Sequence, residues 1–156
     1  ILDTGAMGRC MVVELTVPAA QTRLPLKMVI VVVYAVTGFT AEKVTQRDRN
    51  TENYCCCKYV IDTWKKHHEN ARERAVPMLV IADLNSLSDP DLDAIDTHAV
   101  LNPHGLSAML DSYTTLRSSF RVMHPELRAG TRRTQDGGTN RIDDIRYALP
   151  AGSSLT

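Results

Sequence analysis

The sequence predicts an α/β fold, a mixed β-sheet with helices on its outside. Three observations predict it. The apolar runs at 26–36 and 78–84 are short and continuous, the pattern of strands buried on both faces. Between them, positions 45–70 repeat apolar residues at three- and four-residue steps, the period of an amphipathic helix. The succession strand, strand, helix, buried strand, short helix, hairpin is that of a layered α/β domain. A length of 156 residues suits one domain, 1–156, with a core large enough to fold independently.

Taken in order, Gly8 to Val17 reads as a strand, with Val13, Leu15 and Val17 on one face and Glu14 and Thr16 on the other. Pro18 to Arg23 is a loop. Leu26 to Val36 is a second, central strand, and the short connection favours an antiparallel pair. Thr45 to Asn70 is the clearest helix. Tyr54, Cys57, Ile61, Trp64 and His68 line its inner face beside Val60, and most of its charges lie opposite. Pro77 is tolerated at the entry of the next strand, Met78 to Leu84, because a first strand residue need not donate to the ladder. Ser88 to Asp96 is a polar loop, and Asn102 to Leu106 opens a short helix towards Ser112. Gln135 to Thr139 is a turn signal, so 131–133 and 141–149 read as the arms of a hairpin.

Composition excludes several classes. The formal charge is balanced at zero, so polyanion binding has to come from a local patch. The most apolar stretch, 28–36, is too short for a transmembrane helix of about 20 residues, so no membrane partner is expected. No charged segment followed by an apolar core and a cleavage site opens the chain, and the first residue is Ile1; a processed piece or fragment is expected. Cys55, Cys56 and Cys57 are adjacent and cannot form the spaced pairs of a zinc site. Reduced cysteines in an intracellular protein are expected. His67 and His68 are neighbours on a helix and point apart, which reads as a surface or helix-end pair and not a chelate. Asp89, Asp91, Asp93 and Asp96 lack the glycine and terminal glutamate of a calcium loop.

The chemistry centres on Met78 to Asn85. Four apolar residues run into Asp83, and Asn85 follows two places on. If the extended geometry persists, both side chains point to one spot at the strand's carboxyl end. Alternatively, both residues simply start a turn. A second segment, Asn140-Arg141-Ile142-Asp143-Asp144-Ile145, decides between them.

Together the two segments resemble the endonuclease/exonuclease/phosphatase family, which includes abasic-site nucleases, retrotransposon endonucleases and inositol-phosphate phosphatases. Its signatures are Gly-Asp-Phe/Leu-Asn after an apolar strand and Ser-Arg-Ile-Asp-Tyr-Ile later. Here Ala82 replaces the glycine, Asn140 the serine and Asp144 the tyrosine. Val33-Tyr34-Ala35-Val36 is similar to the family's Asn-Val-Tyr-Ala-Pro, with Val36 for the proline. Leu116 to Pro125 resembles the retrotransposon-type Leu-Val-Asp-Ser-Phe-Arg-x-Leu-His-Pro, with Ser118 for the aspartate. Ala129-Gly130-Thr131 takes the place of Ala-Tyr-Thr.

The resemblance implies a two-sheet mixed β-sandwich flanked by helices, and a Mg²⁺-dependent (or Mn²⁺-dependent) phosphodiesterase. It implies most of all an endonuclease acting on DNA. By it, Asp83 takes the attacking water, Asn85 and Tyr34 contact the phosphate, Asp143 orients a histidine, and Asn140 and Arg141 help hold the substrate. Arg132, Arg133, Arg141 and Arg146 give the hairpin a basic character suited to phosphates, although solvated arginines on an edge hairpin are the more frequent explanation. Two of the family's parts have no counterpart: the opening strands with a metal-holding glutamate, and the final Ser-Asp-His. No metal ligand is assigned in the chain, and the ion is expected only with a complete site. The other readings are a phosphatase of the same family, or an inactive remnant that folds or binds nucleic acid without cleaving it. The one-residue offset between Asp143 and Asp144 sends them to opposite faces of a strand. The resemblance puts Asp143 inward beside Asp83, and Asp144 is expected exposed or paired with an arginine such as Arg146.

Overall fold

A computed structural model describes residues 1, 3–5, 8–18, 26–35, 52–87, 89–96, 106–107, 115–150 and 152–153. Its elements are β1 (Asp3–Gly5), β2 (Cys10–Val17), β3 (Leu26–Tyr34), α1 (Glu52–Glu73) and β4 (Met78–Asp83). Then follow α2 (Pro90–Asp93), β5 (Ala94–Ile95), β6 (Arg117–Ser118), α3 (Ser119–Met123), β7 (Arg132–Arg133), β8 (Thr139–Asn140) and β9 (Asp143–Ala148). They form a six-stranded sheet in the order β1-β2-β3-β4-β9-β6 and a three-stranded sheet in the order β5-β8-β7. The mixed α/β class with two sheets is the one expected.

β2 and β3 pair antiparallel from Cys10↔Val33 to Val17↔Leu26. β3 and β4 pair in parallel from Val29↔Met78 to Tyr34↔Asp83, joined through α1 as a parallel pair requires. β9 returns antiparallel on the far side of β4. Strand alternation gives the sheet two unlike faces. Val29, Val31, Val33, Met78, Val80 and Ala82 point to one, where Val60, Ile61, Trp64 and Ala71 of α1 close the core. On the other, Met11, Val32, Ile81 and Ile145 form one row across four strands and stay exposed. The sequence reading that called β3 central holds, but its second face is not buried.

Several expectations change in detail. β1 precedes the first expected strand and pairs with it through a turn in which Gly8 has φ +77, a backbone region favouring glycine. The helix begins at Glu52, and 45–51 lie outside the described residues, as do Val36, nearly all of the short helix expected at 102–112, and the side chains of Tyr54 and Cys57. His67 and His68, read as a surface or helix-end pair, are buried, as the inner-face reading of His68 expects; His68 Nε2 is 3.3 Å from Thr115 Oγ1. Burial, then the charge of Arg72, lower the His68 pKa, against a raising influence of Glu69. The hairpin expected between 131–133 and 141–149 has Thr139 and Asn140 as its second arm instead. β7 pairs with β8, while 143–148 leave as β9 to join the large sheet. Thr134 N donates to the Gly138 carbonyl at 2.9 Å to close the turn. Among the described residues, no helix is long and apolar enough to cross a membrane.

Candidate functional site

The site grows from the end of β4. Register pairs Asp83 with Tyr34 on one side and with Asp143 on the other. Residues directly opposite in a ladder share a face, so Tyr34, Asp83 and Asp143 stand in one row. On the open face, Asp83 and Asp143 of this row line a cleft of about 660 Å³ whose walls include Ile81 and Ile145 of the sheet and, apart from it, Phe120 and Met123. α3 supplies the last two. Ser118 caps it, accepting from Arg121 N, and His124 ends it with its ring centroid 5.3 Å from that of Phe120.

Extended geometry does not persist to Asn85. The strand stops at Asp83, and Asn85 has φ +46, a left-handed conformation that asparagine tolerates better than most residues. Asn85 N donates to Asp83 Oδ1 at 3.0 Å, so Asp83 does start a turn, of the kind an aspartate side chain makes with its own backbone. The Asn85 side chain goes inward and is buried, with Nδ2 donating to the Ala35 carbonyl at 2.8 Å. Ala35 N in turn donates to the Asp83 carbonyl at 2.8 Å, which ties the ends of β3 and β4 together. The expectation that Asp83 and Asn85 aim at one spot by alternation is therefore corrected. Asn85 shapes the turn that presents Asp83.

Asp83 is half-buried, and burial pushes its carboxyl pKa up. The Asn85 N–H pulls it down, Asp143 pushes it up and Arg132 pulls it down; the net direction is upward. Tyr34 is 55% exposed, with the Arg9 guanidinium 5.0 Å from its ring centroid. Asp143 is exposed beside Asp83, its N–H 3.3 Å from Thr131 Oγ1, which also accepts from Ile142 N at 3.1 Å.

Asp144 alternates to the other face of the strand and is buried, although it too borders the cleft. It accepts from Arg146 Nε at 2.9 Å, from Arg141 Nη1 at 3.1 Å and from Ser118 Oγ at 2.7 Å. Ser118, standing where the resemblance calls for aspartate, is thus a hydrogen-bond donor to a carboxylate. Asn140 and Arg141 are buried too. Arg141 donates to Asp93 from Nε at 2.8 Å and from Nη2 at 3.3 Å. Burial works against its charge, but Asp93 and Asp144 outweigh that and raise its pKa. Arg141 borders the cleft with its guanidinium committed to carboxylates, and Arg146 is 1% exposed. Of the hairpin arginines expected to meet phosphates, Arg132 and Arg133 are the exposed ones. Gly130 has no room for the family's tyrosine, since a Cβ there would strike Thr139.

Sequence reasoning missed Asp93, Thr131 and Arg121. Asp93 sits in a loop read only as polar, yet it is fully buried and also accepts from Arg121. Its partners are 28 and 48 residues away, and no local pattern announces them.

Among the described residues, no three His, Cys, Asp or Glu side chains gather as a metal cage. Asp83 and Asp143 are two carboxylates, and the glutamate the resemblance calls for has no counterpart beside them.

No family model matches the sequence, and neither does any curated protein. Among solved structures, the chain is similar to the catalytic domain of Xenopus laevis APE2, with a TM-score of 0.61 and 18% sequence identity. The match covers 90% of this chain and 46% of that one, so the chain spans about half the length of the structure it matches. What that likeness establishes is the fold alone: a mixed α/β arrangement with two sheets, shared with that domain.

Proposed function

We propose that this chain carries part of the active site of a metal-dependent phosphodiesterase, and that the substrate is DNA cut by an endonuclease of the retroelement type. One observation carries the reading: Asp83 and Asp143 stand opposite each other at the carboxyl end of a sheet strand, with Tyr34 in the same row. Phosphodiester hydrolysis needs a water that loses a proton and donors for the phosphate oxygens. Asp83 has a raised pKa, nearer the range in which a carboxylate accepts a proton from water. Tyr34, beside Asp83 in the ladder, and Arg132, whose charge acts on the Asp83 carboxyl, are the donors this reading gives to the phosphate. Asp143 orients a histidine supplied from elsewhere in the complete domain. Mg²⁺ or Mn²⁺ belongs to that complete site. The exposed Arg132 and Arg133 support nucleic acid over a small phosphate ester.

The test is nicking of supercoiled plasmid DNA, with Mg²⁺ and with chelator, by a polypeptide that restores the domain on both sides of this chain. Metal-dependent nicking abolished by Asp83→Ala is the expected result. Nicking unaffected by Asp83→Ala contradicts the role given to Asp83. Full nicking in chelator contradicts the metal requirement. Binding of DNA without any nicking means the inactive, nucleic-acid-binding reading.

A further inference from the structure

We propose that Asp93 is a positioning residue, which through the fork of Arg141 holds Asp143 opposite Asp83. It rests on the reading of Asp83 and Asp143 as the reacting pair, but its test needs no turnover.

Asp93 is 0% exposed, yet its carboxylate is fully occupied. It accepts from Asp89 N at 2.9 Å, from Arg141 Nε at 2.8 Å and Nη2 at 3.3 Å, and from Arg121. Its carbonyl accepts from Arg141 N at 2.8 Å. Residue 141 is therefore gripped by Asp93 through both backbone and side chain, two places before Asp143. The other arm of the same guanidinium reaches forward, with Nη1 3.1 Å from Asp144 Oδ1 and 3.4 Å from the Asp143 carbonyl. A planar guanidinium fixes its donors in one geometry, so this fork transmits the place of Asp93 to the first residues of β9. Leu84 N donating to the Ile142 carbonyl at 2.9 Å completes the link to the end of β4.

Stability alone does not call for such a device. Buried ion pairs recover little beyond their desolvation cost, and apolar residues of the same volume do as well or better. What the charged version provides is one defined register. Asp93 also holds Arg121, on the helix that walls the cleft, so one carboxylate joins the β9 start to the wall beside it.

A double-mutant cycle on the 156-residue chain tests this. Carboxyl-carbon NMR follows the titration of Asp83. The shift in that titration caused by Asp143→Asn measures how strongly the two carboxylates feel each other. It is measured in the native background and again with Asp93→Asn, which keeps the shape and removes the charge. If Asp93 positions Asp143, the coupling falls to roughly half or less in the second background. Loss of the Asp93 charge by itself shifts Asp83 equally with and without Asp143→Asn, and so cancels in the cycle. An unchanged coupling overturns the proposal, even if the melting temperature drops. Should Asp93→Asn fail to fold, the same cycle on Arg141→Lys decides, because that change keeps the charge and loses the fork. A coupling that survives Arg141→Lys also overturns it.

Discussion

Asp143 and Asp144 are adjacent acids with opposite surroundings, and the pleat of one strand accounts for it. Asp143 shares a row with Asp83 at the cleft mouth, whereas Asp144 lies opposite the buried Ala82 and is enclosed by Arg141, Arg146 and Ser118. Removing one partner of a buried ion pair leaves the others uncompensated, so Asp144→Ala should cost about 3–5 kcal/mol in chemical denaturation. A loss under about 1 kcal/mol contradicts the pairing described. Asp83 predicts the reverse. Its raised pKa means that ionising it opposes folding. Asp83→Asn keeps an oxygen for the Asn85 N–H, removes the charge and should melt no lower than the native protein at neutral pH. On the function proposed, the same substitution in the complete domain should remove about 10²-fold or more of the nicking rate. A stabilised but inactive variant is what an active-site carboxylate gives.

Among the elements, α1, β2, β3 and β4 were legible as elements from their apolar patterns, but not all of their faces were: β3 is open on one side, and β2 buries Cys10 and Val12 while Leu15 and Val17, on the face read as apolar, are exposed. Trp64, on the face the sequence assigns inward, is fully buried against that sheet. Trp64→Ala should therefore cost about 3–5 kcal/mol, read as a lowered denaturant midpoint; a loss below about 1 kcal/mol would move α1 off the sheet. Asp83 was legible for a similar reason, since an apolar run ending in an acid marks where a strand leaves the core. Other features are settled over distance. Whether the second hairpin arm is 141–149, or is 139–140 with 143–148 in the large sheet, depends on β4 pairing with residues 143–148, which local turn chemistry does not encode. The turn of Asn85 into the left-handed region depends on the Ala35 carbonyl, 50 residues away, that receives its side chain. Asp93 reads as one acid of a polar loop until Arg121 and Arg141 are brought to it by the fold.

For the whole molecule, acid is the destabilising direction, and two groups set the windows. His68 has a pKa lowered below 6.5, so the stability its neutral form contributes is present above that value and lost as pH falls through the lower folded value. Burial pushes Asp93 up, but the hydrogen bonds from Arg141, Asp89 N and Arg121 and the charge of Arg141 outweigh it and leave its pKa below 3.8. Its contribution is present above 3.8 and lost as pH falls through the folded value, and Asp93→Asn should flatten that second, more acidic loss in a pH series of thermal melts. Asp83 has the opposite sign, its contribution being present below 3.8 and lost as pH rises through its raised folded value. The fold matches a catalytic domain about twice as long, and the row Tyr34, Asp83, Asp143 lies on the sheet's open face. The central claim is that Asp143 belongs to the row proposed as the active site, and Asp144 to the buried ion-pair cluster that supports it. The measurement that tests it most directly is Mg²⁺-dependent plasmid nicking per folded molecule, in the complete domain, for Asp143→Asn and Asp144→Asn side by side. The account predicts a loss of about 10²-fold or more for Asp143→Asn at unchanged melting temperature, and a lowered melting temperature with turnover within a few-fold of native for Asp144→Asn. Equal losses per folded molecule from the two substitutions would contradict it.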